Sequence, residues 1–183
     1  MFRQLMCWLR RPAFFRAIEH DDLEEAVRLL KLSPALIRAT TVRGNTALHI
    51  AAAGGQTELA AVLLRMGADV GARNKSGWTP LHAAALHGHT DAIELLIASG
   101  AEVDAREQGD NTPLMFAATR HKAAVQALIA HGANVNAKNK TGNTPLGMVA
   151  SLLQEGGPLL TPTRKLSLTT VAEVLFRSGA TRD

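Results

Sequence analysis

One pattern returns four times along this chain and leaves few folds open to it. Gly44-Asn-Thr-Ala-Leu-His-Ile-Ala-Ala, Gly77-Trp-Thr-Pro-Leu-His-Ala-Ala-Ala, Asp110-Asn-Thr-Pro-Leu-Met-Phe-Ala-Ala and Gly142-Asn-Thr-Pro-Leu-Gly-Met-Val-Ala share one register. Thr46 and Thr79 stand 33 residues apart, Thr79 and Thr112 another 33, and Thr112 and Thr144 32. A period of this length marks a small helical unit that cannot bury its apolar face alone and stacks on copies of itself. Each threonine can accept from the first amides of a helix, which lack partners within it. Pro80 adds the proline favoured at the first helical position. The small pairs Ala51 and Ala52, and Ala83 and Ala84, let paired helices approach closely. Gly54-Gly55 and His87-Gly88-His89 make the inter-helix turns, and Leu59, Val62, Leu63 and Leu64 carry the apolar stripe of a second helix. Gly67 ends that helix in the left-handed conformation.

Thr-Pro-Leu-His-x-Ala resembles the ankyrin repeat signature. So does the Gly-Ala pair at Gly67-Ala68, Gly100-Ala101, Gly132-Ala133 and Gly179-Ala180. The resemblance runs from about Pro12 to the end and implies an all-α ankyrin-repeat solenoid of helix-turn-helix units with protruding hairpin loops, such as Asp69 to Ser76. The divisions it suggests are an N-terminal amphipathic segment (1–11), a degenerate capping repeat (12–42), three repeats (43–75, 76–108 and 109–140) and a C-terminal repeat (141–183). His49 and His82 occupy the signature histidine, whose ring, by resemblance, hydrogen-bonds within and between repeats.

The ends depart from the pattern. Phe2, Leu5, Met6 and Leu9 fall at helical spacing with arginines interleaved, as in a short amphipathic helix. It can pack on the first repeat, or dock on a membrane surface or partner through Trp8. A signal peptide is disfavoured by the short apolar run and the two arginines after it. A separate helix from Pro12 through Phe14, Phe15 and Ile18 should follow. A second should open at Asp21, with Glu24 three residues on. In the third repeat Asp110 replaces glycine, Met115 replaces histidine, and the turn around Thr119 is one residue short. In the fourth, Gly147 stands where the histidine would be. The distance from Thr144 to Gly179 exceeds that from Thr46 to Gly67 by 14 residues, so an insertion falls at about 153–168, where Gly156-Gly157-Pro158 and Pro162 should break helix. Either it caps the end or it leaves Val171, Val174, Leu175 and Phe176 as a partner surface.

With 46% hydrophobic residues and 183 positions, the chain can bury a sizeable core. Net charge +4 and a pI near 9.7 favour acidic partners. Nucleic acid is disfavoured, because the basic residues do not run in blocks. No apolar run approaches the roughly 18 residues that span a bilayer. The single cysteine, Cys7, cannot form an internal disulfide, which suits a cytoplasmic protein. His82, His87 and His89 lie close in sequence but lack the spacing of a closed metal shell. No nucleophile constellation or phosphate-cradling glycine loop is present. The expectation is therefore no enzyme, no cofactor and no metal.

What remains is binding. Carried over position by position, the resemblance selects the residues before each signature, the loop tips and the starts of the inter-helix turns. These are Arg43 and Asn45 with Val42; Lys75, Ser76, Trp78, Leu86 and His87; Gln108, Asn111, Thr119 and Arg120; and Lys140 and Asn143, flanked by Thr141, with Ser151 and Leu152. Arg73, Arg106 and Lys138 recur at one register and form a basic row along the tips, suited to steering an acidic protein partner. Trp78 is expected to face out of the stack and anchor that partner; the alternative is a ring lying flat on its own hairpin. The role implied is a protein-binding module, as an inhibitor, immunity-type or adaptor protein, with a membrane-peripheral anchor through residues 1–11 as the alternative.

Overall fold

Each Thr-x-Leu step of the repeat is a helix start. Thr46 is the cap of α3 (Ala47–Gly54), Thr79 of α5 (Pro80–His87) and Thr112 of α7 (Pro113–Ala118), while α9 is Pro145–Glu155. The second helices are α4 (Thr57–Arg65), α6 (Thr90–Ala98), α8 (Lys122–Ala130) and α10 (Pro162–Arg177). Ahead of them lie α1 (Phe2–Glu19), α2 (Leu23–Leu32) and a 3₁₀ turn (Pro34–Arg38). The computed structural model describes residues 2–155 and 161–181; of the side chains of residues 2–8 and of Glu155 nothing is said.

The helices form two rows. An inner row runs α1, α3, α5, α7, α9, each against the next, and α4, α6, α8 and α10 follow one another in an outer row. Small residues set the spacing: Ala51, Ala52, Ala84, Ala85, Ala117 and Ala118 are fully buried where helices meet. Leucine at such a position would overpack, at a cost of about 1–3 kcal/mol. Leu48, Leu81 and Leu114 from the inner row meet Leu59, Leu63, Ile93, Leu96, Val125 and Leu128 from the outer row in one continuous core.

Polar ladders tie the repeats together. The His82 ring sits beside Thr79, its Nδ1 accepting from the Thr79 amide at 3.2 Å and lying 2.9 Å from Thr79 Oγ1. Its Nε2 lies 3.1 Å from the Asn111 carbonyl of the next repeat. His49 repeats this with Thr46 and the Trp78 carbonyl. One face of each ring must accept and the other donate, so the neutral Nε2–H tautomer fits both partners. Burial, partly offset by the Asn111 carbonyl, pushes His82 down to about 4 and lowers His49 as well. Met115 breaks the ladder and leaves Thr112 Oγ1 buried with no partner among the described residues. A second ladder runs behind the turns: Gln56 Nε2 donates to the Ile18 carbonyl, and His89 and His121 reach the carbonyls of Ala53 and Leu86. Gly55 and Gly88 are glycine because a Cβ on either would lie 2.5 Å from the imidazole of the next repeat, and both have positive φ.

Several boundaries differ from the sequence reading. No break separates residues 1–11 from a helix at Pro12: α1 is continuous, with Pro12 inside it. Proline removes a helical hydrogen bond and crowds the carbonyl one turn back, and burial of Phe14, Phe15, Ala17 and Ile18 just beyond it offsets that cost. The cap of α2 is Asp22, accepting from the Glu25 amide at 3.0 Å, one residue later than expected, because Asp21 takes up the turn with φ +56°. Pro162 starts a helix instead of breaking one. Thr161 caps it by accepting from the Arg164 amide, and α10 begins at Pro162, inside the expected insertion. The break expected at Gly156-Gly157-Pro158 lies outside the described residues. Val171 and Leu175 are fully buried and Val174 is partly so, because α10 packs on α8 and α9. Of the apolar surface expected at this end, Phe176 is exposed, and Leu166 joins it.

Candidate protein-binding face

Hairpin loops project from the inner row, and three of them are each organised by one side chain at a shared register. Asn74 Oδ1 accepts from the amides of Ser76 and Trp78, and Asn139 Oδ1 from those of Thr141 and Asn143. In the third repeat Glu107 Oε1 accepts from Gly109 and Asn111. Burial pushes the Glu107 carboxyl up, but these amides outweigh it and hold it below its usual value. Asn74 and Asn139 then donate to Asn45 and Asn111 of the preceding loop at 2.7 and 2.8 Å. The backbone joins the same loops: Lys75 donates to Arg43, Gln108 to Ser76 and Lys140 to Gly109. The tips are thus a connected rim instead of independent fingers.

Most of the basic row takes part in that stapling. Arg73 Nη2 donates to the Arg106 carbonyl, Arg106 Nη1 to the Lys138 carbonyl at 2.9 Å, and Lys140 Nζ to the Gln108 carbonyl. Gln108 in turn donates to the Lys75 carbonyl at 2.8 Å. Lys138 is exposed. Arg43 and Lys75 differ, since their charged ends make no hydrogen bond or ion pair among the described residues.

Between rim and inner helices lies an open hollow of about 700 Å³. It gathers six of the residues selected from sequence, Arg43, Asn45, Lys75, Ser76, Trp78 and His87, with Val42 beside them. His49, Ile50, Ala53, Asn74 and Ala83 complete its lining. The other selected residues lie elsewhere. Leu86 is half-buried and gives its carbonyl to His121. Thr119 closes α7, donating to the Phe116 carbonyl at 2.9 Å. Arg120 is exposed. Asn143 lines a smaller hollow with Ser151, in the space left by Gly147.

Trp78 does not stand free. It is half-buried, its ring centroid 4.5 Å from that of Phe116 in the next repeat and 6.0 Å from His82. It presents an edge of the hollow, not a projecting anchor, and it lies on the neighbouring repeat, not on its own hairpin. His87 is exposed beside His89.

The residues that reasoning from sequence overlooked are the organisers. Asn74, Glu107 and Asn139 recur at spacings of 33 and 32, as do Gln56, His89 and His121. The same register that revealed the signature marks them, once hydrogen-bonding side chains are compared across repeats.

Among the described residues no group of histidine, cysteine and carboxylates could hold a metal ion, and no helix is long and apolar enough to cross a membrane. Of residues 1–11, on which the membrane-surface alternative rests, positions 1–8 lie outside the described side chains, while Leu9 is exposed and Arg10 donates to the Leu32 carbonyl at 3.1 Å.

Stacked helix pairs, hairpin tips and an exposed groove define a repeat scaffold for protein–protein interaction. The family model described as "Ankyrin repeats (3 copies)" matches residues 14–107, and that described as "Ankyrin repeat" matches residues 109–140. The chain belongs to the ankyrin repeat family, an interaction fold that is itself non-enzymatic. It is 43% identical over 75 residues to the probable E3 ubiquitin-protein ligase XBOS33 of Oryza sativa subsp. japonica, covering 40% of this chain and 14% of that protein. It is 46% identical over 59 residues to the nuclear factor NF-kappa-B p105 subunit of Mus musculus, covering 32% and 6%. The E3 ubiquitin-protein ligase XBAT33 of Arabidopsis thaliana is 44% identical over 59 residues, 32% of this chain and 12% of that one. The chain therefore spans a small fraction of each of these relatives.

Proposed function

We propose that this chain acts without catalysis of its own, holding one protein partner in the groove and along the hairpin tips as a dedicated inhibitor, immunity-type or adaptor protein. The observation that carries this reading is the hollow, which collects six of the residues that the family resemblance selected as binding positions. The stapled rim supports the dedicated role: loops already fixed by inter-repeat hydrogen bonds lose little freedom on binding, so more of the contact energy appears as affinity. The two uncommitted cations at the groove favour a partner with an acidic surface and faster encounter at low salt.

The test is affinity capture from lysate of the source cells, read by mass spectrometry, with wild type and an Arg43→Glu, Lys75→Glu double variant. These charges are preferable to Trp78, whose removal would also unpack Phe116. With matched melting behaviour, a protein held by wild type and lost with the variant is the expected result. Equal capture by both would move the site away from this groove.

A further inference from the structure

The hollow exists because one floor position is small. Ile50, Ala83, Phe116 and Met148 occupy the same place in successive inner helices, immediately after the signature histidine position. Ile50 and Phe116 are half-buried there, while Ala83 between them leaves the floor low. Trp78, its ring packed 4.5 Å from Phe116, lines the hollow together with Ile50 and Ala53. The result is a recess with an apolar base. Its rim is basic: Arg43 and Lys75 line it, and no carboxylate does. The contrast along the tips is informative, because Arg73, Arg106 and Lys140 have turned their donors to neighbouring carbonyls, whereas Arg43 and Lys75 have not. Uncommitted positive charge is thus concentrated where the floor is lowest.

We infer that the recess over Ala83 is an anchor subsite for a single large apolar side chain, leucine or phenylalanine, carried on an acidic segment of the partner. The apolar side chain fills the space above Ala83 against Ile50 and Trp78. Carboxylates on either side of it pair with Arg43 and Lys75. This rests on the binding face proposed above and adds to it the chemistry of what binds. A partner segment with apolar residues but basic flanks is rejected by the rim, and an acidic segment without a large apolar residue leaves the recess unfilled.

The probes are short fluorescein-labelled peptides with leucine, phenylalanine or alanine at the centre and either acidic or lysine flanks, titrated against the full chain by fluorescence anisotropy. The acidic leucine and phenylalanine peptides should saturate, roughly tenfold or more tighter than the acidic alanine peptide, from burial of the additional apolar surface. Ala83→Phe, which installs the residue found at the same position in the next repeat, should erase that difference. Arg43→Glu, Lys75→Glu should weaken every acidic peptide. Binding that ignores the central residue, or an unchanged leucine-to-alanine ratio in Ala83→Phe, overturns the anchor; if the double variant still abolishes such binding, the binding face itself stands. Binding untouched by either variant overturns both. No saturable binding of any acidic peptide at millimolar concentration overturns the anchor subsite.

Discussion

Acid should loosen this stack, and His82, whose neighbours are known, contributes a separable part of the effect. His82 accepts from the Thr79 amide at Nδ1 and meets the Asn111 carbonyl through Nε2. A second proton on the ring would occupy Nδ1 and set two donors against each other. Burial dominates its depression to about 4, with Arg73 and His49 pushing the same way and the Asn111 carbonyl and Glu107 opposing. In the unfolded chain the same ring titrates near 6.5. Between these values the unfolded state binds more protons, so stability falls as pH drops through 6.5 and levels off below about 4. From pH 7.5 to pH 5 the loss from this one group is about 2 kcal/mol. His82→Gln keeps a polar side chain in the ladder and cannot titrate. Urea unfolding of wild type and His82→Gln at both pH values cancels the carboxylates and the other histidines they share. Wild type should lose about 2 kcal/mol more than the variant over that interval. Equal losses would refute the argument that the ladder requires a neutral ring.

Further outcomes follow from the irregular half of the stack. Thr112→Val should stabilise the protein by about 1 kcal/mol, because it removes a buried hydroxyl that has no partner. The matching Thr79→Val should destabilise by a similar amount, because that hydroxyl lies against His82; chemical denaturation of the pair checks the opposite signs. Gly147→Ala should gain about 1 kcal/mol of helix propensity, since an added Cβ would meet within 4 Å nothing beyond its own helix backbone except Thr144 Oγ1, at 3.2 Å; a thermal melt reads it. Asp110→Gly should raise stability by about 0.5–1 kcal/mol, because Asp110 holds φ +60° where the other repeats use glycine. Hydrogen exchange should open α7 to α10 before α3 to α6, and faster exchange in the earlier helices would contradict the assignment of weakness to Met115 and Gly147.

The periodic part of the chain was legible because its physics is local and repeated. Threonine caps, alanine contacts and histidine rings each act within one unit or on the next, so a spacing of 33 residues is enough to place them. The ends were less legible for the opposite reason. Pro12 is tolerated inside α1 because buried Phe14, Phe15 and Ile18 hold the helix on its neighbours, an effect of packing that no local rule reveals. Pro162 can stop a helix or start one, and Thr161 ahead of it decides. Val171 and Leu175 looked exposed because no later repeat covers them, yet their face of α10 turns back to α8 and α9. For the site, neither the half-burial of Trp78 and Leu86 nor the commitment of the charges was readable from position. Arg73, Arg43 and Lys75 look alike in sequence, and only the loop geometry shows that the Arg73 guanidinium is bound to a carbonyl while the other two charges are open.

The most direct test of the binding face is to replace Ser76, His87 and Asn143 in turn with a photo-crosslinking amino acid. Exposed outer-row positions Glu58, Glu94 and Gln126 serve as controls, each irradiated in lysate and read by mass spectrometry. A common partner crosslinked from the groove and tips but not from the outer helices is the predicted result. Crosslinking confined to the outer row would contradict the account.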